Sequence, residues 1–346
     1  MRPAEDLSPP GHRIGDNTEV SDTMKQKTVP SLPLLVTLLG YGLLVAFPAE
    51  AAAGARRGLN VCAGVIVPSL FPFLAFSGLC TALGFSQRLA ALLRPVMARI
   101  GLSPYAAAPL LLGLIGGYPV GASAVAELVR SGTLTPEEGA ALLPWCNNTG
   151  PAFLIGAAGT AAFGSAGIGC GLYLCHVLAA LTLALLLRSK PCGNSPASLP
   201  RAPEADFASA FPDCVRAAAA AAFNISAFVV FFSVLTALLD AVGIASAVTA
   251  FLALRLGTGL QFARSLLTGL LELGSGIGCI AGLPPTPGNL ALASFLIGFG
   301  GLSVHCQTLS VLSGTKIKCA RHFVGRIAHG GISALFTFLL FTLLRI

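Results

Sequence analysis

The side chains able to do chemistry in this chain are few, and they are set into apolar sequence. Asn147 and Asn148 are adjacent amides within P-W-C-N-N-T-G-P, residues 144–151, and Tyr118 stands between Gly117 and Pro119. Glu272 is the lone carboxylate of residues 266–280, and Ser303, His305, Gln307 and Thr308 follow Gly298 and Gly300. Adjacent amides at a helix break suit recognition of a solute hydroxyl or base edge, one amide facing the solute and the other capping the next half-helix. They also suit a plainer task, satisfying the broken backbone. Tyr118 suits stacking on a ring or gating a cavity, or serves as packing. An ionisable group at bilayer depth costs several kcal/mol, so Glu272 is expected to face a cavity and to carry a coupling proton or cation. The alternative is a carboxylate reaching an interface. His305 could titrate near neutral pH, or act as a hydrogen-bonded structural residue. Substrate contact is thus expected at Tyr118, Asn147, Asn148, Glu272, Ser303, His305 and Gln307.

Covalent catalysis has no basis here. No Walker motif, catalytic triad or H-E-x-x-H occurs, so an enzyme is not expected and no cofactor is implied. The ten cysteines fall in no metal pattern, and the Cys170, Cys175, His176 group matches neither haem nor zinc spacing. No metal site is expected.

These polar residues must be positioned within a membrane. The chain is 55% hydrophobic and 10% charged, whereas a soluble domain carries roughly 25% charged residues. The net charge of +7 comes from Lys and Arg in short loops between apolar runs, so it signals orientation rather than nucleic acid. Gly116, Gly117, Pro119 and Gly121 cannot hold a continuous helix, and neither can Asn147, Asn148, Gly150 and Pro151. Such breaks in lipid are tolerated only where they are buried in protein or line a wet cavity. Two close together imply a binding site made from half-helices.

In order, residues 1–30 read as a disordered N-tail and 31–57 as a first transmembrane span with its loop. Residues 58–188 form a first repeat: a proline-kinked span, an interfacial arm at 87–100, a re-entrant hairpin at 104–130, a helix capped at Thr135 that breaks at 147–151, and a span at 167–187. Glu127 and Arg130 in the hairpin are spaced for an ion pair. Residues 189–213 are a Pro-rich linker. Residues 214–346 repeat the order, with a span at 217–239, a hairpin at 255–282 broken at 274–278, a helix broken at 298–303, and a last span at 323–344. The fold expected is an all-α polytopic membrane protein with an inverted repeat of span, re-entrant hairpin, broken helix and span. With the N-tail placed in the cytosol, this topology puts sixteen of the 21 Lys and Arg on the cytosolic side, Arg326 among them beside a loop.

Four ordered motifs carry a resemblance: P-S-L-F-P-F at 68–73, G-G-Y-P-V-G-A at 116–122, N-N-T-G-P-A-F-L-I-G at 147–156 and G-F-G-G-L-S-V-H-C-Q at 298–307. Together they resemble the YlbJ family of sporulation integral membrane proteins. That family carries the nucleoside recognition, or Gate, domain, shared with spore maturation membrane proteins, concentrative nucleoside transporters and the membrane part of a ferrous iron transporter. The resemblance spans residues 58–344. It implies a transporter-like protein of the cell membrane or a spore membrane, moving a small polar solute, nucleoside-like among the options, during spore formation. The alternative it implies is a non-transporting membrane factor of spore assembly. The partners implied are the lipid bilayer and a small polar solute, with a homo-oligomer or other spore membrane proteins as protein partners and no nucleic acid.

Overall fold

A chain this apolar satisfies its backbone groups most economically as helix, where every internal N–H finds a carbonyl in its own segment. The computed structural model describes residues 31–99, 104–187 and 206–346, and among them every regular element is helical. The expected N-tail and residues 189–205 of the expected linker lie outside the described residues. Helix α1 (Leu32–Ala46) is apolar, has no buried residue and belongs to a unit of its own. The residues from Phe47 onward form the second unit.

In that unit, α2 (Pro48–Val61) passes through a π-helical turn, Cys62–Ile66, into α3 (Val67–Ala82). The arm is α4 (Phe85–Arg99). The first hairpin is α5 (Ala107–Gly116) and α6 (Val120–Arg130), turning at Gly117 with φ +80°. Then comes α7 (Pro136–Cys146), opened by Thr135 and Glu138 in a reciprocal capping box. After the break, residues Ala152–Ala162 wind as π-helix and lead to α8 (Ala166–Leu186).

The second half differs from expectation in three places. Helix α9 (Phe207–Ala241) starts ten residues before the expected span, with Asp206 at its N-cap position, so residues 207–213 are helix rather than linker. Residues 244–254, which had no assignment, and the first two residues of the expected hairpin form α10 (Ile244–Leu256), bent by 118° against α11 (Leu260–Leu271). The hairpin breaks at Glu272, not at 274–278, because the Glu272 carboxylate accepts from Gly274 N at 2.9 Å and Ser275 N at 2.5 Å. A new helix therefore starts there, α12 (Leu273–Ile280), and the glycines lie inside it. A Cβ on Gly276 would come 2.2 Å from the Gly269 Cα, so these glycines serve close packing of α11 on α12.

Thr286 caps α13 (Pro287–Phe299), which breaks at Gly300 (φ +94°) before α14 (Gly301–Val311). The last helix is α15 (Ala320–Leu343). By length and composition, four described segments can cross a membrane: α8, α9, α13 with α14, and α15; two bent pairs raise the number to six.

Small residues set the packing. Gly54 and Gly58 face α9 so closely that a Cβ on either would lie 2.8 Å from its atoms. Gly298 meets Gly330 of α15 in the same way, beside a buried hydroxyl chain in which Thr337 donates to Ser294 at 2.8 Å and Ser294 lies 2.7 Å from Ser333. The expected Glu127–Arg130 pair does not form. Arg130 instead donates to the carbonyls of Val311 (2.7 Å) and Ser313 (3.2 Å), where the end of α14 leaves acceptors unpaired.

Candidate functional site

Each break is locked against the hairpin of its own half. A Cβ on Gly113 or Gly121 would lie 1.9 or 2.0 Å from the Cys146 carbonyl oxygen, so only glycine lets α7 end between α5 and α6. Gly117 and Gly150 touch through backbone alone. In the second half Gly301, with φ +74°, lies against Gly269 O and Leu273 N.

Between these two interlocks is a cavity of about 290 Å³. Gly117, Gly150 and Gly274 supply backbone to it, and Tyr118, Thr149, Glu272 and Gln307 supply polar side chains. The remaining wall is apolar, including Phe153, Ile225, Val229 and Val304. A small, mostly apolar pocket with a few convergent polar groups is the usual form of a small-molecule site.

The expected site residues divide. Tyr118, Glu272 and Gln307 line the cavity. Ser303 lies one turn behind Gln307 and accepts from its Nε2 at 3.2 Å. Asn147 is a tie: its Oδ1 accepts from Ala122 N (3.3 Å) and its Nδ2 donates to Thr308 Oγ1 (3.0 Å). Asn148 donates to the Trp145 carbonyl at 2.8 Å. Both amides thus satisfy broken backbone or join helices, and neither lines the cavity. His305 packs among Phe299, His322 and Phe323, its ring nitrogens without hydrogen-bond partners.

Two residues that sequence reasoning passed over are central. Thr149 lines the cavity while its Oγ1 donates to the Ile297 carbonyl at 3.3 Å, joining one break to the helix that precedes the other. Its N–H donates to His176 Nε2 at 3.2 Å. The second is Arg326. Expected among the cytosolic charges beside a loop, it lies instead within α15 and is 1% exposed. Its Nη1 donates to Asn147 O and to His329 Nδ1, both at 2.8 Å. Its Nη2 donates to Tyr118 Oη and to Gly298 O. Tyr118 passes its own proton to Ile297 O at 3.1 Å. One guanidinium therefore clamps the first break, the first hairpin tip and the end of α13.

Among the described residues no carboxylate pairs with Arg326; carbonyl dipoles, a phenol and an imidazole carry its solvation. Since His329 Nδ1 accepts from Arg326, its proton sits on Nε2, 3.1 Å from His176 O. The signal for Arg326 was available. The expected last span begins at Phe323 and so already encloses Arg326, and the rule applied to Glu272 covers a charged residue within a span. Thr149 offered no such signal.

The described residues hold no group of three or more His, Cys, Asp or Glu placed to bind a metal. The cavity between the two helix breaks has the size and lining to enclose a small molecule.

Residues 63–185 match the Gate family, described as nucleoside recognition. The chain is also 26% identical over 324 residues to the sporulation integral membrane protein YlbJ of Bacillus subtilis, covering 86% of this chain and 79% of that one. No solved structure matches significantly. The matched segment contains the first hairpin, the first break, Tyr118 and Thr149. This chain is therefore a multi-pass integral membrane protein, with a segment at residues 63–185 similar to the Gate family and a likeness over most of its length to YlbJ.

Proposed function

We propose that the protein is a carrier that moves a small polar, nucleoside-like solute across a membrane during spore formation. The observation that carries this is the cavity between the two helix breaks, where Tyr118, Thr149, Glu272 and Gln307 converge within an apolar wall. The aromatic ring of Tyr118 offers a stacking face, and Gln307 and Thr149 offer hydrogen bonds to hydroxyl and base-edge groups. Glu272 holds the start of α12 at the cavity wall, so movement of its carboxylate onto a solute or cation would loosen the hairpin. That gives binding a direct mechanical effect on a helix break, as carriers built from discontinuous helices require.

The name of the Bacillus relative speaks of sporulation and not of a solute, and it favours a second assignment, a membrane factor of spore assembly that does not transport. Reconstitution separates them. Purified protein in liposomes is expected to take up radiolabelled uridine or another nucleoside, with uptake lowered at least tenfold by Gln307→Ala. Absence of uptake across a panel of nucleosides, together with spore formation restored by Gln307→Ala as fully as by the wild-type protein in a strain lacking it, would leave the assembly role.

A further inference from the structure

A second opening borders the cavity. A cleft of about 830 Å³ lies between α2, α9, α11 and α12. Its lining carries charge of both signs. Arg264 forms a forked pair with Asp240, at 2.6 and 2.5 Å, and Glu50, Arg57 and Asn60 face the same space. Two hydroxyls on its wall, Ser233 Oγ and Thr268 Oγ1, are buried without a hydrogen-bond partner. Polar groups are costly in a membrane protein unless water or a ligand satisfies them.

Val61, Gly274 and Gly278 line both the cleft and the cavity, so the two spaces meet there. Gly274 is close to Val61, since a Cβ on it would lie 3.5 Å from a Val61 methyl. Gly278 is different: nothing lies within 4 Å of the Cβ it lacks. Glycine is therefore not required at 278 by packing. What its missing side chain leaves is open space at the junction.

We propose that this cleft is the aqueous antechamber of the cavity, that Gly278 keeps the neck between them open, and that the antechamber receives a solute with hydrogen-bond donors and acceptors but no net charge. The charge balance supports the last point. Two carboxylates, Glu50 and Asp240, face two guanidiniums, Arg57 and Arg264, so the wall concentrates neither anions nor cations. The proposal rests on the carrier assignment only for its solute, and the neck can be tested without transport.

The test uses full-length protein in liposomes with cysteines removed except Cys279, which lines the cleft, or with Val304→Cys as a cavity probe in the same background. A membrane-impermeant sulfonated methanethiosulfonate should modify both. Gly278→Leu should slow modification at Val304→Cys at least tenfold and leave Cys279 unchanged, and Gly278→Ala should alter neither rate. Unchanged thermal unfolding of Gly278→Leu would show that the neck is filled rather than the fold lost. Uridine should protect Cys279 and uridine monophosphate should not. Modification of Val304→Cys at the wild-type rate in Gly278→Leu overturns the neck, and an unreactive Cys279 overturns the antechamber. Protection by the monophosphate alone overturns the charge assignment. If wild-type protein takes up no nucleoside yet Gly278→Leu still shields Val304→Cys, the neck stands and the carrier assignment falls.

Discussion

The break of the first half covers residues 147–151 and is held by side chains, whereas the break of the second half is two left-handed glycines, Gly300 and Gly301. Asn147, Asn148 and Thr149 each satisfy neighbouring groups directly. At Gly300 the backbone turns without a side-chain cap, and the carbonyls before it are taken by residues from elsewhere, Ile297 O by Tyr118 and Thr149, and Gly298 O by Arg326. The hairpins reverse this pattern. The first turns at Gly117 and Pro119 with no side-chain cap, and the second is capped by Glu272. Each half thus secures one of its two interruptions with its own side chains and leaves the other to glycine or proline and to partners across the cavity. What this teaches is that the first break carries side chains of its own while the second carries none, and that Arg326, from the second half, holds both at once through Asn147 O and Gly298 O.

That comparison breaks most decisively at Arg326. Arg326→Leu removes donors from Asn147 O, Gly298 O and Tyr118 Oη at once, and each buried group left unpaired costs about 1–3 kcal/mol. Loss of the folded protein in detergent, read by thermal unfolding or size-exclusion, is the expected outcome. A stable Arg326→Leu protein would show that the second break holds without the clamp.

Glycine substitutions come next. Gly113→Ala should disrupt the first interlock, because its Cβ would lie 1.9 Å from the Cys146 carbonyl oxygen. Gly117→Leu and Gly300→Leu should abolish uptake while the protein still inserts, as both positions have φ in the left-handed half of the map. Wild-type uptake in both would make the breaks incidental.

Smaller losses sharpen the contrast between amide and carboxylate. Asn147→Ala should lower stability by about 1–2 kcal/mol, since Ala122 N and Thr308 Oγ1 each lose a partner. Glu272→Gln keeps the shape but makes one of its two accepting oxygens an amide nitrogen, which costs about 1 kcal/mol of cap. If Glu272 also carries a coupling proton, the same variant exchanges solute but loses accumulation driven by a pH gradient; unchanged accumulation removes Glu272 from coupling.

The smallest effect is expected at His305. Its ring nitrogens have no hydrogen-bond partner and its ring packs on Phe299 and Phe323. His305→Phe should leave uptake within twofold of wild type and unfolding temperature unchanged or raised. A large loss of uptake would place His305 on the solute path after all.

The broken helices were legible because Gly, Pro and Asn punctuate apolar runs, and each break lies where those residues cluster. The capped start of α7 at Thr135 was legible for the same local reason. The second hairpin was misplaced because glycine was taken as the breaker, when a carboxylate able to cap a helix decided the position. Tyr118, Glu272 and Gln307, singled out for their polarity in apolar surroundings, line the cavity. Asn147 and Asn148 carried the same signal, but Asn147 spends both its amide atoms, and Asn148 its amide nitrogen, on protein.

Sequence alone determined the solvent. With 55% hydrophobic residues and 10% charged, the chain folds in a bilayer, and because lipid offers no hydrogen bonds, its spans are helices and its interruptions are confined to protein-lined space. The identity of the buried wall was settled only in three dimensions. Whether a polar side chain faces the cavity or a neighbouring carbonyl depends on which distant backbone group lies nearest, and Arg326 finds partners 179 and 208 residues away in sequence. No local pattern encodes such a partner, because the demand is set by unpaired carbonyls that exist only once the two halves have packed together.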